Sequence, residues 1–132
     1  MDIQKVYSDL KTNFPNLEIY QNHLLAPYTT VKIGGPADVF IHTKSSDELK
    51  NILEFIYDLR PTIYPTIIGN GSNILISDSG IRGIVIKNSS DKIEILPDNK
   101  VKVDSGVQLP QLINFTLDHN LLGLEEFAYI PS

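Results

Sequence analysis

Gly69, Asn70, Gly71, Ser72 and Asn73 stand between two apolar stretches, within TIIGNGSNILIS at 66–77 of a 132-residue chain. Glycines one residue apart can adopt left-handed or crowded backbone conformations that turn successive N–H groups toward one concavity, a nest suited to phosphate oxygens. The chain has sixteen acidic and eleven basic side chains, a formal charge of −5, and no Lys or Arg between Arg60 and Arg82. Main-chain amides are therefore the local means of holding a pyrophosphate, and Ser72 and Asn73 offer side-chain donors beside them. The same residues suit a wide β-turn in which glycine only relieves strain, and residue types alone leave both readings open.

Better-known glycine loops are excluded by the residues after Gly71. A Walker A loop needs Gly-Lys-Ser/Thr, and no such lysine is present. A Rossmann fingerprint needs a third glycine and an immediate helix, whereas NILISDSGIRGIVI stays β-branched and turn-rich. Other constellations are weaker. His23, His42 and His119 are isolated and read as surface or structural residues, and no metal site is expected. There is no Gly-x-Ser-x-Gly elbow to activate Ser72. Glu125 and Glu126 are adjacent and point to different sides of a helix or strand, against a working carboxylate pair. The aromatic residues are spread along the chain and read as core rather than as a stacking platform. KIGGPAD at 32–38 is a tight turn for which structural and functional readings both stand.

Composition bounds the remaining possibilities. With 42% hydrophobic and 20% charged residues the chain reads as one globular domain, able to bury roughly two-thirds of its unfolded surface. Its scattered lysines form no nucleic-acid footprint. No cysteine is present, which removes disulfides, thiolate metal sites and cysteine nucleophiles. MDIQKVYSDLK carries charges from its second residue and has no apolar leader core, and no run of 18 apolar residues occurs, so a cytoplasmic protein is expected.

The elements that must position the loop are read from periodicity. Ile3, Val6, Tyr7 and Leu10 predict a helix ending near Asn13, and residues 16–27 read as a connector. DVFIHT at 38–43 is an apolar strand. SSDELKNILEFIYDL then takes a 3.6-residue period, with Leu49, Ile52, Leu53, Ile56 and Leu59 on one side and Ser45 and Glu48 as a capping box. YPTIIG comes next as a strand, so 38–69 reads as strand, helix, strand, a parallel pair joined by a right-handed crossover. The loop thus falls at a strand's carboxyl end, where open α/β sheets bind ligands. GIVIK (83–87), KIEIL (92–96) and KVKVD (100–104) are short strands, the last two joined through PDNK as a hairpin. QLPQLINFTLDHN predicts a helix with Pro110 in its first turn and Asn120 as a left-handed terminator. GLEEFAYIPS ends without a polar tail and reads as a sequence cut short.

Taken in order, YTTVKIGGPADVF, IIGNGSNILISDSGIRGIVI and VDSGVQLPQLINFTLDHNLLGLEEFAYIPS resemble the N-terminal half of the UDP-N-acetylenolpyruvoylglucosamine reductase family, flavoenzymes of peptidoglycan biosynthesis. The resemblance spans nearly all of 25–132. It implies an α+β FAD-binding domain of the vanillyl-alcohol-oxidase (PCMH) type, with a βαβ lobe, a largely antiparallel lobe and FAD between them. On this reading residues 1–24 are an N-terminal helix and connector, 25–132 an incomplete FAD-binding domain, and the substrate-binding domain is absent. Residues 69–73 look like the segment that wraps the FAD pyrophosphate, flanked by Ile68, Ile74 and Leu75. Ile130, Pro131 and Ser132 look like the start of a second flavin-contacting stretch.

The activity implied is NADPH-dependent reduction of UDP-N-acetylglucosamine enolpyruvate to UDP-N-acetylmuramate, with the nucleotide sugar bound only with the missing domain. The family's catalytic serine, arginine and glutamate lie downstream of the matched stretch. No catalytic residue is therefore assigned here, Ser72, Arg82 and Glu125 are not substitutes, and the chain alone is expected to turn over little or nothing. Two other readings remain: a stand-alone nucleotide-binding or interaction module without redox chemistry, and another oxidoreductase of the same flavin fold, which the C-terminal match disfavours.

Overall fold

The computed structural model describes residues 2–59 and 64–130. In chain order it contains α1 (Ile3–Asn13), β1 (Glu18–Leu24), β2 (Pro36–Thr43), α2 (Ser46–Asp58), β3 (Thr66–Ile68), β4 (Ile81–Asn88), β5 (Ile93–Leu96), β6 (Lys100–Val103) and α3 (Leu109–Asp118). Four strands form a mixed sheet in the order β1-β2-β4-β3, and β5 and β6 form a separate antiparallel pair. The architecture is the expected α+β. Among the described residues no helix is long and apolar enough to cross a membrane.

Local signals act as the sequence predicts. The Ser45 hydroxyl accepts from the Glu48 amide at 3.1 Å, while the Glu48 carboxylate reaches back to the Lys44 amide, one residue beyond the usual reciprocal partner of a capping box. The β5–β6 turn places Asp98 and Asn99 at positive φ, a conformation these residue types tolerate. At the end of α3, Asn120 has φ +56. The Leu121 amide donates to Thr116 O and the Asn120 amide to Leu117 O, the paired bonds of a left-handed helix terminus.

Two expectations based on longer stretches are corrected. Residues 16–27 are not merely a connector: β1 pairs antiparallel with β2, from Glu18 opposite His42 to Leu24 opposite Pro36. EIYQNHL conceals this because it is an edge strand that fully buries only Ile19. The strand, helix, strand unit is present, but β4 lies between β2 and β3 and is parallel to both. GIVIK therefore belongs to the main sheet. Its strand buries Ile84, Val85 and Ile86 on both faces, which suits a central position, whereas the three-residue β3 leaves Ile67 exposed at the edge.

The alternation of β2 and β4 builds two apolar layers. Val39, Ile41, Ile84 and Ile86 meet Ile52 and Ile56 of α2 and Val6 and Leu10 of α1 on one face. Phe40 and Val85 point the other way and pack with Leu25, Ile68 and Ile76, which come from strand ends and loops. Each fully buried aliphatic side chain contributes about 1.5–3 kcal/mol. Where the β2–β4 register shifts between Ala37 and Val39, the Asp38 carboxylate accepts from the Gly83 amide at 2.7 Å and pairs with Arg82 at 2.8 Å. This pins the irregularity in place.

Candidate functional site

β2, β4 and β3 run parallel, so their carboxyl ends share one side of the sheet, and residues 69–73 leave from that side after Ile68. The two loop glycines have different jobs. Gly71 has φ +65, and a Cβ placed there would overlap the carbonyl oxygen of Tyr28; the Thr30 amide also donates to Gly71 O at 3.1 Å. Its glycine is required by the fold, in conformation and by close approach. Gly69 is exposed, and among the described residues a Cβ there would meet nothing within 4 Å. The fold gives no steric reason for glycine at 69, which leaves the approach of a ligand as a reason.

Among the described residues, the amides of Gly71, Ser72 and Asn73 donate no backbone hydrogen bond. Three successive uncommitted N–H groups are the material of an anion nest. Ile68 is buried and Ile74 packs partly against the same apolar layer, so both ends of the loop are anchored. Leu75 is 79% exposed. Farther along, the amides of Gly35 and Gly80 both donate to Ser77 O, and Gly80, at φ +77, lies so close to Pro36 O that a Cβ would overlap it. The glycines of KIGGPAD thus serve to dock one loop on another. Ile130 is half-exposed, its amide donates to Phe127 O, and among the described residues no backbone hydrogen bond joins it to the loop. Pro131 and Ser132 lie outside the described residues.

The sequence places no cation near the loop; the sheet does. In the parallel register Lys87 sits beside Ile68, and its ammonium donates to Gly69 O at 2.7 Å. Burial lowers the pKa of this lysine. The available signal was a lysine closing an otherwise apolar strand, but its neighbour is set by strand order. Residue spacing does not reveal that order.

Other polar groups are occupied by the architecture. His42 Nδ1 meets Glu18 Oε2 at 3.0 Å and His42 Nε2 meets Ser89 Oγ at 2.9 Å. Glu18 also pairs with Lys44, which first and His42 second lower its carboxyl pKa. This carboxylate, imidazole and hydroxyl chain has the partners of a nucleophilic triad, but the amides beside the serine that could serve as oxyanion donors are committed: the Ser89 amide donates to Thr43 O and the Ser90 amide to Asn88 Oδ1. It works as a cross-strand tie.

Phe40 is core, as expected, but Tyr20, Tyr28 and Phe40 also gather around His23 in a cross-strand cluster that the sequence did not show. Pairing of β1 with β2 sets Tyr20 opposite Phe40, His23 stacks on both rings, and His23 Nε2 lies 3.0 Å from Tyr28 Oη. Burial lowers the His23 pKa and raises that of Tyr28. His119 Nδ1 lies 2.8 Å from Phe115 O, and Glu125 accepts from the Gly123 amide at 2.6 Å. No group of three or more His, Asp or Glu among the described residues is placed to hold a metal ion.

Comparison with known proteins agrees with the placement of the loop in a cofactor domain. A family described as FAD binding domain matches residues 37–132. A UDP-N-acetylenolpyruvoylglucosamine reductase of Carboxydothermus hydrogenoformans is 39% identical over 132 residues, covering 99% of this chain and 43% of the relative. One from Caldanaerobacter subterraneus subsp. tengcongensis is 38% identical over 114 residues, covering 86% and 37%. The crystal structure of UDP-N-acetylenolpyruvylglucosamine reductase from Thermus caldophilus superposes with a TM-score of 0.61 at 30% identity, covering 88% of this chain and 38% of that one. The chain thus spans about two-fifths of the length of the relatives it matches.

Proposed function

This chain belongs to the FAD-binding domain family, and from that premise we propose that residues 68–75, together with Ile130, Pro131 and Ser132, hold the cofactor, the loop taking its diphosphate. Gly69 carries the reading. It is the loop glycine whose missing Cβ the fold does not need, and a side chain there would stand where a phosphate approaches the neighbouring amides. The residues present fit such a group. Gly71, Ser72 and Asn73 offer N–H groups without backbone acceptors among the described residues, and oriented peptide dipoles stabilise anionic oxygens in a chain whose net charge is −5. Anchoring by Ile68 and Ile74 sets the loop before a ligand arrives, which reduces the ordering cost of binding. Leu75 is an apolar contact for a ring system.

We further place the chain as the FAD-binding portion of an NADPH-dependent reductase that converts UDP-N-acetylglucosamine enolpyruvate to UDP-N-acetylmuramate. This is a cytoplasmic step of peptidoglycan biosynthesis on which cell shape and division depend. Bound FAD would supply the hydride-transfer chemistry. The contribution of these residues is to bind and orient it. Ser72, Arg82 and Glu125 take no proton-transfer role: Arg82 is engaged by Asp38 and by the carbonyls of Pro36 and Ser79, and Glu125 by the turn it closes.

Titration of the chain with FAD, followed by flavin fluorescence, tests the reading. One equivalent is expected to bind, and Gly69→Val to abolish binding at unchanged melting temperature. Absence of saturable binding, or undiminished affinity of the variant, would contradict it. Enolpyruvyl-substrate-dependent NADPH oxidation is expected to be absent from the 132-residue chain alone.

A further inference from the structure

Lys87 is a half-buried cation without a counter-ion among the described residues. Among the described residues Lys44, Lys50, Arg82 and Lys92 each pair with a carboxylate; Lys5, Lys32, Lys100 and Lys102 pair with none but are exposed, Lys11 pairs with none but lies in the last turn of α1, and Lys87 pairs with none while partly buried in the sheet. The carboxylate in its cross-strand row, Glu18, two strands away in the order Glu18, His42, Lys87, Ile68, is already engaged by His42 and Lys44. An ammonium has three donors, and the bond to Gly69 O uses one. Removing a charge from water is costly unless it is paired, and burial here already disfavours the charged form. A position that maintains this cost at the start of a loop with three amides that donate no hydrogen bond among the described residues is suited to an anion that arrives from outside.

We propose that Lys87 is a direct ligand of the FAD diphosphate, its bond to Gly69 O aiming the ammonium at the mouth of the loop. This rests on the reading of residues 69–73 as the diphosphate cradle, and it adds to that cradle the cation that the loop's own sequence lacks. The division of labour is physical: the amides fix where the phosphate oxygens sit, and the ammonium neutralises their charge. A lysine that only fastened the loop would need one donor and no ligand.

The test is titration of the natural chain, Lys87→Met and Lys87→Arg with FAD, riboflavin and inorganic pyrophosphate, at low and high salt. Lys87→Met is expected to weaken FAD and pyrophosphate by about 10- to 100-fold, the range for a lost charge-assisted hydrogen bond, to leave riboflavin unchanged, and to flatten the salt dependence of FAD binding. Lys87→Arg is expected to restore most of the loss. Equal weakening of riboflavin, or an unchanged salt dependence, would show a loop fastener and overturn the proposal. If FAD binds the natural chain and Lys87→Met equally well, the lysine proposal fails while the cradle stands. If pyrophosphate binds through Lys87 but FAD does not bind, the FAD reading fails while the anion ligand stands. Should Lys87→Met not fold, the ammonium resonance of Lys87 in the natural chain decides: a shift on adding pyrophosphate supports the proposal, and none refutes it.

Discussion

The two faces of the main sheet are held by different physics. Against the helices, Ile41, Ile84 and Ile86 meet Ile52, Ile56 and Leu10, and stability comes from buried apolar area. On the other face Phe40 and Val85 are covered by loops, which must come close enough for backbone to touch backbone, as Gly71 does at Tyr28 and Gly80 at Pro36. The helix face therefore depends on side-chain volume and the loop face on its absence. A loop layer locked in this way keeps its amides in fixed places. A helix interior has no spare amides to present, so the loop face is the one suited to the ligand-binding role proposed above.

The largest expected effect breaks the helix face: Ile41→Ala is expected to cost about 2–5 kcal/mol in chemical denaturation, from lost contact and the cavity left behind. Gly80→Ala tests the loop face at a positive φ and a close approach, with an expected loss of about 2–3 kcal/mol. Gly69→Ala sharpens the contrast, because open space surrounds it: stability is expected to change by no more than about 0.5 kcal/mol while FAD binding weakens. Losses of similar size at Gly69 and Gly80 would erase the distinction between the two glycines.

Smaller effects come from titration on the loop face. Burial lowers the His23 pKa from 6.5, so below that pH the unfolded chain binds more protons than the folded one and stability falls with falling pH. Denaturation midpoints at about pH 7.5 and 5.5 are expected to differ in the natural chain and to differ less in His23→Phe. Glu18 has a carboxyl pKa lowered from 4.5 by Lys44 and His42, so its contribution is present above that value and fades as pH falls below it. Half-exposed, it is expected to give the smallest effect, reduced in Lys44→Ala, where His42 alone still holds the carboxylate.

Features decided within a few residues were legible in the sequence. Ser45 with Glu48, the Asp98 and Asn99 turn, and Asn120 closing α3 all act where expected, because caps and turns are set by adjacent side chains and backbone. Features decided by pairing were not. β1 was hidden because a polar edge strand shows little alternation, and its partners in β2 lie far along the chain. The insertion of β4 between β2 and β3 is a matter of strand order, and the placement of Lys87 beside Gly69 depends on it. The loop itself was visible as a candidate anion nest, but the separation of Gly69 from Gly71 required knowing that Tyr28 lies against only one of them.

The most direct measurement is an amide-resolved NMR titration of the chain with FAD, compared with riboflavin. Gly71, Ser72 and Asn73 are expected to show the largest N–H shifts with FAD and little change with riboflavin, since the diphosphate is what distinguishes the two ligands at this loop. Binding of FAD that leaves those three amides unmoved would contradict the cradle.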